Sequence, residues 1–241
     1  MIAGSVLSIA LMALAGTVFW QQNNAPTYTA KIDTVRGQVR EVDLPDGSHL
    51  VLDTDTHIEV SLFAHHRDVR LSHGQVMFVV EHDASRPFQV DAGGTRVTVL
   101  GTRFSVRYTE SGLQDAGVGV AVEQGHVRVQ NLATVDLLAQ QAVNVDGRGE
   151  PGPVHALPPG AVAPWRQSHV NFNDTPLAAA LAEFERYGPT DLALGDGRAS
   201  RLRITGSFDV RQPEVFAHAL PHVLAVRLSK RGDTTVIESS R

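Results

Sequence analysis

Histidine and acidic side chains are the groups in this sequence most able to bind a metal ion. The chain has 241 residues and 11 histidines, the densest group being His57, His65, His66, His73 and His82. Zinc and related ions need ligands that converge at fixed spacings, such as HExxH on a helix. These histidines fall instead on β-patterned runs, where successive side chains point to opposite faces. We therefore expect no metal site and no bound cofactor.

The closest acidic group is Asp53, Asp55 and Glu59 in the segment DTDTHIE. This segment lacks the glycine and the ligand spacing of a calcium-binding loop. We therefore predict that these residues form the solvated edge of a strand. The serine signature GxSxG is absent. The chain has 26 acidic residues and no cysteine, so carboxylate pairs arise by chance and thiolate chemistry is excluded. The residues predict no enzyme active site.

The overall charge excludes a further class of function. The formal net charge is −5 with a pI near 6.1, and Lys and Arg are scattered along the chain. A nucleic-acid-binding protein needs a concentrated basic field. We therefore expect no nucleic-acid partner.

Residues 28–146 carry the pattern of an all-β domain, with short alternating runs separated by glycine turns. Asp46-Gly47 is a strong hairpin signal because both residues tolerate positive φ. The run from Val97 to Val106, VTVLGTRFSV, predicts a strand that contains the Gly101-Thr102 bond. Residues 110–117 predict a surface loop. A sandwich, a small barrel and an irregular β-solenoid all remain open for this domain.

The rest of the chain has a different organisation. Residues 147–164 concentrate proline and glycine, which predicts an extended linker. Residues 165–241 predict a small α+β module in which a β-α-β pattern occurs twice. Its first helix should end at Tyr187, before Gly188 and Pro189, and a second helix should begin near Pro213 and be kinked or shortened by Pro221.

The N-terminal segment is apolar from Ile2 to Trp20 and contains no charge. As a helix it would be about 28 Å long, close to the hydrocarbon thickness of a bilayer. We predict a transmembrane anchor at residues 2–20. A cleaved signal peptide is the alternative, because Ala13-Leu14-Ala15 fits the small-x-small cleavage pattern, although no basic residue precedes the apolar run. Both interpretations export the chain from Gln21 onward.

Five motifs follow one another along the β-patterned region: LPDGS (44–48), RDVRLSHGQVMFVV (67–80), RPFQV (86–90), VTVLGTRFSV (97–106) and VAVEQGHVRV (120–129). In this order they resemble FecR-type proteins, bacterial membrane regulators that relay signals from TonB-dependent outer-membrane receptors to an alternative sigma factor. The trailing segments VNFNDTPLAAALAEFERY and ITGSF, with the tryptophan before them, are similar to the C-terminal part of the same family.

The resemblance implies a single-pass inner-membrane protein whose bulk lies in the periplasm. Its C-terminal module, similar to the short signalling domain of secretins and TonB-dependent receptors, would receive the receptor's signalling domain in iron-siderophore uptake. Family members usually carry a cytoplasmic domain that binds an ECF sigma factor, and this sequence has no such domain before residue 2, so a sigma partner requires an upstream domain. The residues expected to contact the receptor are Phe172, Leu177, Leu181, Phe184 and Phe208.

The resemblance also implies a chemical role for Gly101-Thr102. In some relatives the equivalent bond breaks spontaneously after the threonine hydroxyl attacks the preceding carbonyl, and glycine obstructs that attack least. A plain β-bulge glycine followed by a strand threonine is the alternative. For the whole chain, two other functions stay open: a cell-envelope ligand-binding or scaffold module without sigma-factor control, and a secreted carbohydrate-active β protein.

Overall fold

The computed structural model describes residues 25–109 and 117–240. The predicted anchor at 2–20 and all but Gly117 of the predicted loop at 110–117 lie outside these residues. The first lobe is one curled sheet of thirteen strands. Its strands are β1 (Tyr28–Asp33), β2 (Arg40–Asp43), β3 (His49–Leu52), β4 (His57–Leu62), β5 (Arg67–Val79), β6 (Phe88–Ala92), β7 (Thr95–Val99), β8 (Arg103–Tyr108), β9 (Val118–Gln124), β10 (His126–Gln130), β11 (Thr134–Leu138), β12 (Gln141–Val145) and β13 (His155–Ala156).

Strand β5 is shared by the two halves of this sheet. Its first half pairs with β4 and, in parallel, with β6, whereas its second half pairs with β3 and β8. The change occurs at Gly74, where φ is +102° and an added Cβ would lie 2.5 Å from the Cα of Thr56. No larger residue fits without moving the backbone. We call the β1-β4-β6-β7-β10-β11 side sheet 1 and the β2-β3-β8-β9-β12-β13 side sheet 2.

A single apolar core fills the space between the two sheets. Alternate residues of each strand point into it, as the period of two in the sequence requires. Phe78 and Phe104 stack at 5.0 Å between ring centroids, and Phe88 meets Phe78 edge-on at 5.9 Å. All three rings are fully buried. The all-β prediction for this region is confirmed, in the form of a curled sheet wrapped around one core.

Arg67 explains why several sequence motifs occur together. Its side chain is completely buried and its guanidinium bonds to the Asp46 carboxylate at 2.9 Å. It also donates to the backbone carbonyls of Glu81 and Arg86 at 3.0 and 2.9 Å, and it lies 5.4 Å from the centroid of the Phe88 ring. One buried cation therefore ties together the LPDGS, RDVRL and RPF segments, because a buried charge must be paired and hydrogen-bonded.

The second lobe is a small α+β module with a core of its own. Two helices share this core with a two-stranded antiparallel sheet, β14-β16, and a three-stranded sheet of order β15-β18-β17. The first helix ends at Tyr187 as predicted. The second keeps Pro221 inside its last turn, so it is not cut short at the proline, and the alternative of a kink stays a prediction. The elements are β14 (His169–Pro176), α1 (Leu177–Tyr187), β15 (Leu192–Leu194), β16 (Arg203–Asp209), α2 (Pro213–Val223), β17 (Val226–Arg231) and β18 (Thr234–Ser239).

The segment predicted as a linker lies against the outer face of sheet 2. Its strand β13 pairs with β12, and the Leu157 amide donates to the Gln140 carbonyl at 2.8 Å. Val162, Ala163 and Trp165 pack with Met77 in a third apolar cluster. Beyond β13 the segment has little regular structure, as its proline and glycine content predicts, and apolar side chains between these residues hold it on the sheet.

Candidate functional site

The Gly101-Thr102 bond lies at the bend where the chain leaves sheet 1 and enters sheet 2, between β7 and β8. The prediction that it sits inside a strand is wrong. Here β7 pairs with β6 and β10 while β8 pairs with β5 and β9, so the chain must change direction at this point. An added Cβ on Gly101 would lie 2.7 Å from the Cα of His82, and this close approach is the physical reason for glycine.

The surroundings of Thr102 are tight and ordered. The residue is 5% exposed, and its hydroxyl donates to the backbone carbonyl of His126 at 3.1 Å. Its own carbonyl accepts from the Val80 amide at 3.0 Å. Gly125 packs against the side chain, since a Cβ there would lie 3.0 Å from the Thr102 hydroxyl oxygen. The bond that the resemblance singles out is therefore held rigidly on both sides.

A second feature is a buried charge network that joins the two lobes. Glu183 on α1 accepts two hydrogen bonds from Arg107 on β8, at 2.9 and 2.5 Å, and one from Arg186 at 2.8 Å. Asp53, after β3, accepts from the Tyr187 hydroxyl at 2.9 Å and from Arg186 at 3.4 Å. The exposed Arg36 adds hydrogen bonds to the carbonyls of Glu185 and Gly188 at the end of α1.

The pKa values of the two buried carboxyl groups in this network are shifted in opposite directions. Burial would raise the pKa of Glu183, but the charges of Arg107 and Arg186 outweigh it and lower that pKa to about 2. Burial dominates at Asp53 and raises its pKa above the usual value, although Arg186 acts against the shift. One Asp53 oxygen, Oδ1, has no hydrogen-bond partner in the described part of the chain. The ionised form of Glu183 is therefore stabilised in the interlobe contact, whereas the ionised form of Asp53 is disfavoured there.

Asp53 does not lie where the sequence predicts. It was expected on a solvated strand edge, but it is fully buried, while its neighbours Asp55 and Glu59 do lie nearer to solvent. The partners that bury it, Arg186 and Tyr187, are more than 130 residues away. No local sequence pattern predicts such a contact. The spacing of Glu183 and Arg186, three apart on one helix, was the single signal available for half of the network.

The five residues expected to contact a receptor lie in the interior of the module. Phe172, Leu177, Leu181 and Phe184 are at most 5% exposed and Phe208 is half-buried. The helical spacing of Leu177, Leu181 and Phe184 belongs to a core-facing stripe, and Phe172 and Phe208 pack on the same core from strands. These side chains shape the module, and a partner would have to contact the residues that cover them.

Beside the charge network lies a cleft of about 640 Å³ between the lobes. One wall is the outer face of sheet 2, the opposite wall is the β14-β16 sheet, and the segment 155–165 closes one side. Arg107, Glu183 and Tyr187 lie in its lining. Within residues 25–109 and 117–240, no group of three or more histidine and acidic side chains is placed to hold a metal ion. No helix in those same ranges has the length and apolar character to cross a bilayer.

The fold and its interlobe contact define a two-lobed protein in which a curled β domain carries a covering α+β module. Two solved structures share this architecture. Both carry the description "putative anti-sigma factor from Parabacteroides distasonis ATCC 8503". Each is 24% identical to this chain, with TM-scores of 0.76 and 0.77, and the matches cover 89% and 88% of this chain and 100% of the others. At this identity the likeness establishes the fold.

The family follows from the sequence of the β domain. Residues 30–128 match the family model described as FecR protein, so the resemblance to FecR proteins is confirmed and this part of the chain is a FecR domain. Four of the five motifs lie wholly within the match, and the fifth extends one residue beyond it. Among curated proteins no match is found.

Proposed function

We propose that this chain is a signal transducer that regulates a sigma factor. In this proposal the chain sits in the inner membrane with its two lobes in the periplasm. There it receives a signal from the signalling domain of a TonB-dependent receptor during iron-siderophore uptake. An ECF sigma factor is its target, and this part of the proposal requires a cytoplasmic domain upstream of residue 2. The observation that carries the proposal is the FecR domain at 30–128 within an architecture that matches 89% and 88% of this chain to two chains described as putative anti-sigma factors.

The interlobe contact supports a transducing role. Glu183 and Arg186 are on the module, and their ion-pair partners Arg107 and Asp53 are on the β domain. A displacement of the module therefore alters ion pairs that include side chains of the β domain. Buried ion pairs add little net stability, but removing one partner costs about 3 to 5 kcal/mol. Such a contact is sensitive to small displacements.

Calorimetry of the purified chain with a receptor signalling domain tests this proposal. The receptor should be one whose gene lies beside the gene of this protein. We expect saturable binding, and we expect none to the same receptor after deletion of its signalling domain. Absence of heat with the intact signalling domain would favour the scaffold alternative. Glycan turnover that depends on a carboxylate pair would favour the carbohydrate-active alternative.

We further propose that the chain cleaves itself at Gly101-Thr102. The Thr102 hydroxyl oxygen attacks the Gly101 carbonyl carbon, the carbon–nitrogen bond breaks, and the Thr102 nitrogen takes the proton to become a free amine. Water then hydrolyses the resulting ester to a Gly101 carboxylate and the free hydroxyl. The tight packing of both residues supports the proposal, because an ordered bend holds nucleophile and carbonyl in one geometry.

Intact-mass analysis measures this cleavage. We expect the wild-type chain to give fragments 1–101 and 102–241, whose summed mass exceeds the uncut chain by one water. Thr102→Ala should stay intact, while the control Thr98→Ala, in the neighbouring strand, should still cleave. A single uncut wild-type species would remove the proposal.

A further inference from the structure

The cleft between the lobes is neutral although charged residues line it. Its permanently charged lining residues, within the described ranges, are Arg107 and Glu183. These two satisfy each other through two hydrogen bonds. Apart from the imidazoles of His155 and His169, a charged ligand would therefore find no free counter-charge and would lose its hydration without compensation. The chemistry of the cleft favours an uncharged occupant.

The remaining polar groups of the cleft are suited to hydrogen bonding. Amide and hydroxyl side chains come from both lobes, with Gln75 and Ser105 on sheet 2 and Asn171, Thr205 and Ser207 on the β14-β16 sheet. Trp165 also belongs to the lining and is 5% exposed, and its indole Nε1 has no hydrogen-bond partner in the described residues. That nitrogen is itself shielded from solvent, so Trp165 adds apolar surface to the lining and no open hydrogen-bonding group.

The floor of the cleft has the shape that a polypeptide backbone needs. Gly119, Ala121 and Ala142 on neighbouring strands β9 and β12 give sheet 2 a surface of very small side chains. Small side chains let another backbone come close. A volume of about 640 Å³ is within the range of sites that enclose a drug-sized ligand, which is the size of a few residues in extended conformation.

A sugar fits these observations less well. The rings of Trp165 and Phe172 are only 5% and 3% exposed, so neither offers an open face on which a sugar ring stacks. A peptide uses the amide and hydroxyl side chains as partners for its main-chain N–H and C=O groups, and its backbone lies on the small-residue floor.

We propose that the interlobe cleft binds an extended, uncharged peptide segment of a partner protein, held through its main chain by amide and hydroxyl groups of both lobes. The segment contacts sheet 2 on one side and β14-β16 on the other, so its binding joins the lobes directly beside Glu183. This inference does not depend on the proposed role in sigma-factor control, because it follows from the cleft alone.

The Trp165 indole N–H is the reporter for the test. Trp20 is the second tryptophan of the chain, so Trp20→Phe leaves one indole signal in an amide-correlation NMR spectrum of the full chain. The probe is a positional library of N-acetylated, C-amidated tetrapeptides of Ala, Ser, Thr, Val and Asn. We expect a saturable shift of the Trp165 signal, because the Trp165 side chain belongs to the lining of the cleft and an occupant changes its surroundings. Cellobiose and N,N′-diacetylchitobiose serve as the sugar arm, and aspartate-containing tetrapeptides as the charged arm.

Two substitutions locate the binding site. Ala121→Leu fills the floor of the cleft and should weaken peptide binding at least about tenfold, which corresponds to about 1.4 kcal/mol. The matched control Ala133→Leu, on an exposed loop, should leave binding unchanged. If Ala121→Leu fails to fold, Asn171→Ala on the exposed side of β14 should weaken binding in the same direction.

The proposal is overturned by any of three results. The first is the absence of a saturable shift with neutral peptides at millimolar concentration. The second is preferential binding of the sugars or of the charged peptides. The third is unchanged peptide binding in both Ala121→Leu and Asn171→Ala, since binding would then occur elsewhere.

Discussion

Glu183→Gln is the substitution that probes the interlobe contact most selectively. Glutamine keeps the size of the side chain but carries no charge, so the packing of α1 is preserved. Arg107 and Arg186, whose side chains are 7% exposed, then lose the carboxylate that balances them. The cost of burying those two guanidinium groups is no longer offset.

The expected loss is worked from the pKa of Glu183. That pKa falls from 4.5 to about 2 in the folded chain, and a lowered carboxyl pKa means that the ionised form stabilises the fold above pH 4.5. A shift of this size corresponds to about 3 kcal/mol, at about 1.4 kcal/mol per unit. Breaking one side of a buried ion pair costs about 3 to 5 kcal/mol. We therefore expect Glu183→Gln to lower the free energy of unfolding by about 3 to 5 kcal/mol.

Urea denaturation in the Trp20→Phe background, followed by Trp165 fluorescence, measures this loss, because Trp165 belongs to the apolar cluster against which Tyr187 packs. Glu185→Gln is the matched control on the same helix, since Glu185 is exposed, and it should change stability by less than about 0.5 kcal/mol. The double variant Arg107→Met with Glu183→Leu should recover part of the loss, because it removes both charges. A Glu183→Gln chain as stable as the Glu185→Gln chain would refute this reasoning.

Four further results are expected. Asp53→Asn should leave the free energy of unfolding at pH 7 unchanged or raise it, in contrast to Glu183→Gln. The raised pKa of Asp53 means that its ionised form destabilises the fold, and asparagine removes that charge. Urea midpoints measure the effect, and a loss above about 2 kcal/mol would contradict the prediction. The wild-type chain should lose up to about 3 kcal/mol between pH 4.5 and 2 as Glu183 takes up a proton, and Glu183→Gln should lack this step in a pH series of melts. Asp46→Asn should cost about 2 to 4 kcal/mol because it leaves buried Arg67 without its carboxylate, and an unchanged urea midpoint would argue against that pairing. Gly101→Ala should destabilise the chain measurably in the same assay because its Cβ would meet the His82 backbone, and wild-type stability would show that the bend is looser than described.

Local patterns predicted the elements of this fold well. The Asp46-Gly47 hairpin, the β runs on either side of Gly101 and the helix that ends at Tyr187 all depend on nearby residues, so their signals lie within the segment itself. The effect of Pro221 was predicted less well, because the helix continues past this residue. A proline in the final turn has little helix beyond it to disrupt, and α2 ends two residues later at Val223.

The contacts between distant segments were not predictable in the same way. Asp53 meets Arg186 across 133 residues, and Arg107 meets Glu183 across 76. Charged residues are usually exposed, so a single sequence assigns them to the surface. Gly101 was assigned to a strand because its neighbours alternate, whereas the change of sheet there is set by the pairing of β7 and β8 with different partners. The core positions of α1 were identified, but periodicity does not tell a core stripe from a docking stripe.

The role proposed for this FecR-domain protein, carrying a receptor signal to a sigma factor, is best tested by a transcriptional reporter. The reporter is placed under the promoter that the neighbouring sigma factor controls, in a strain whose gene for this protein is deleted and then restored. We predict that the reporter no longer responds to the receptor's siderophore in the deletion strain and that restoring the gene returns the response. An unaltered siderophore response in the deletion strain would contradict the proposed role.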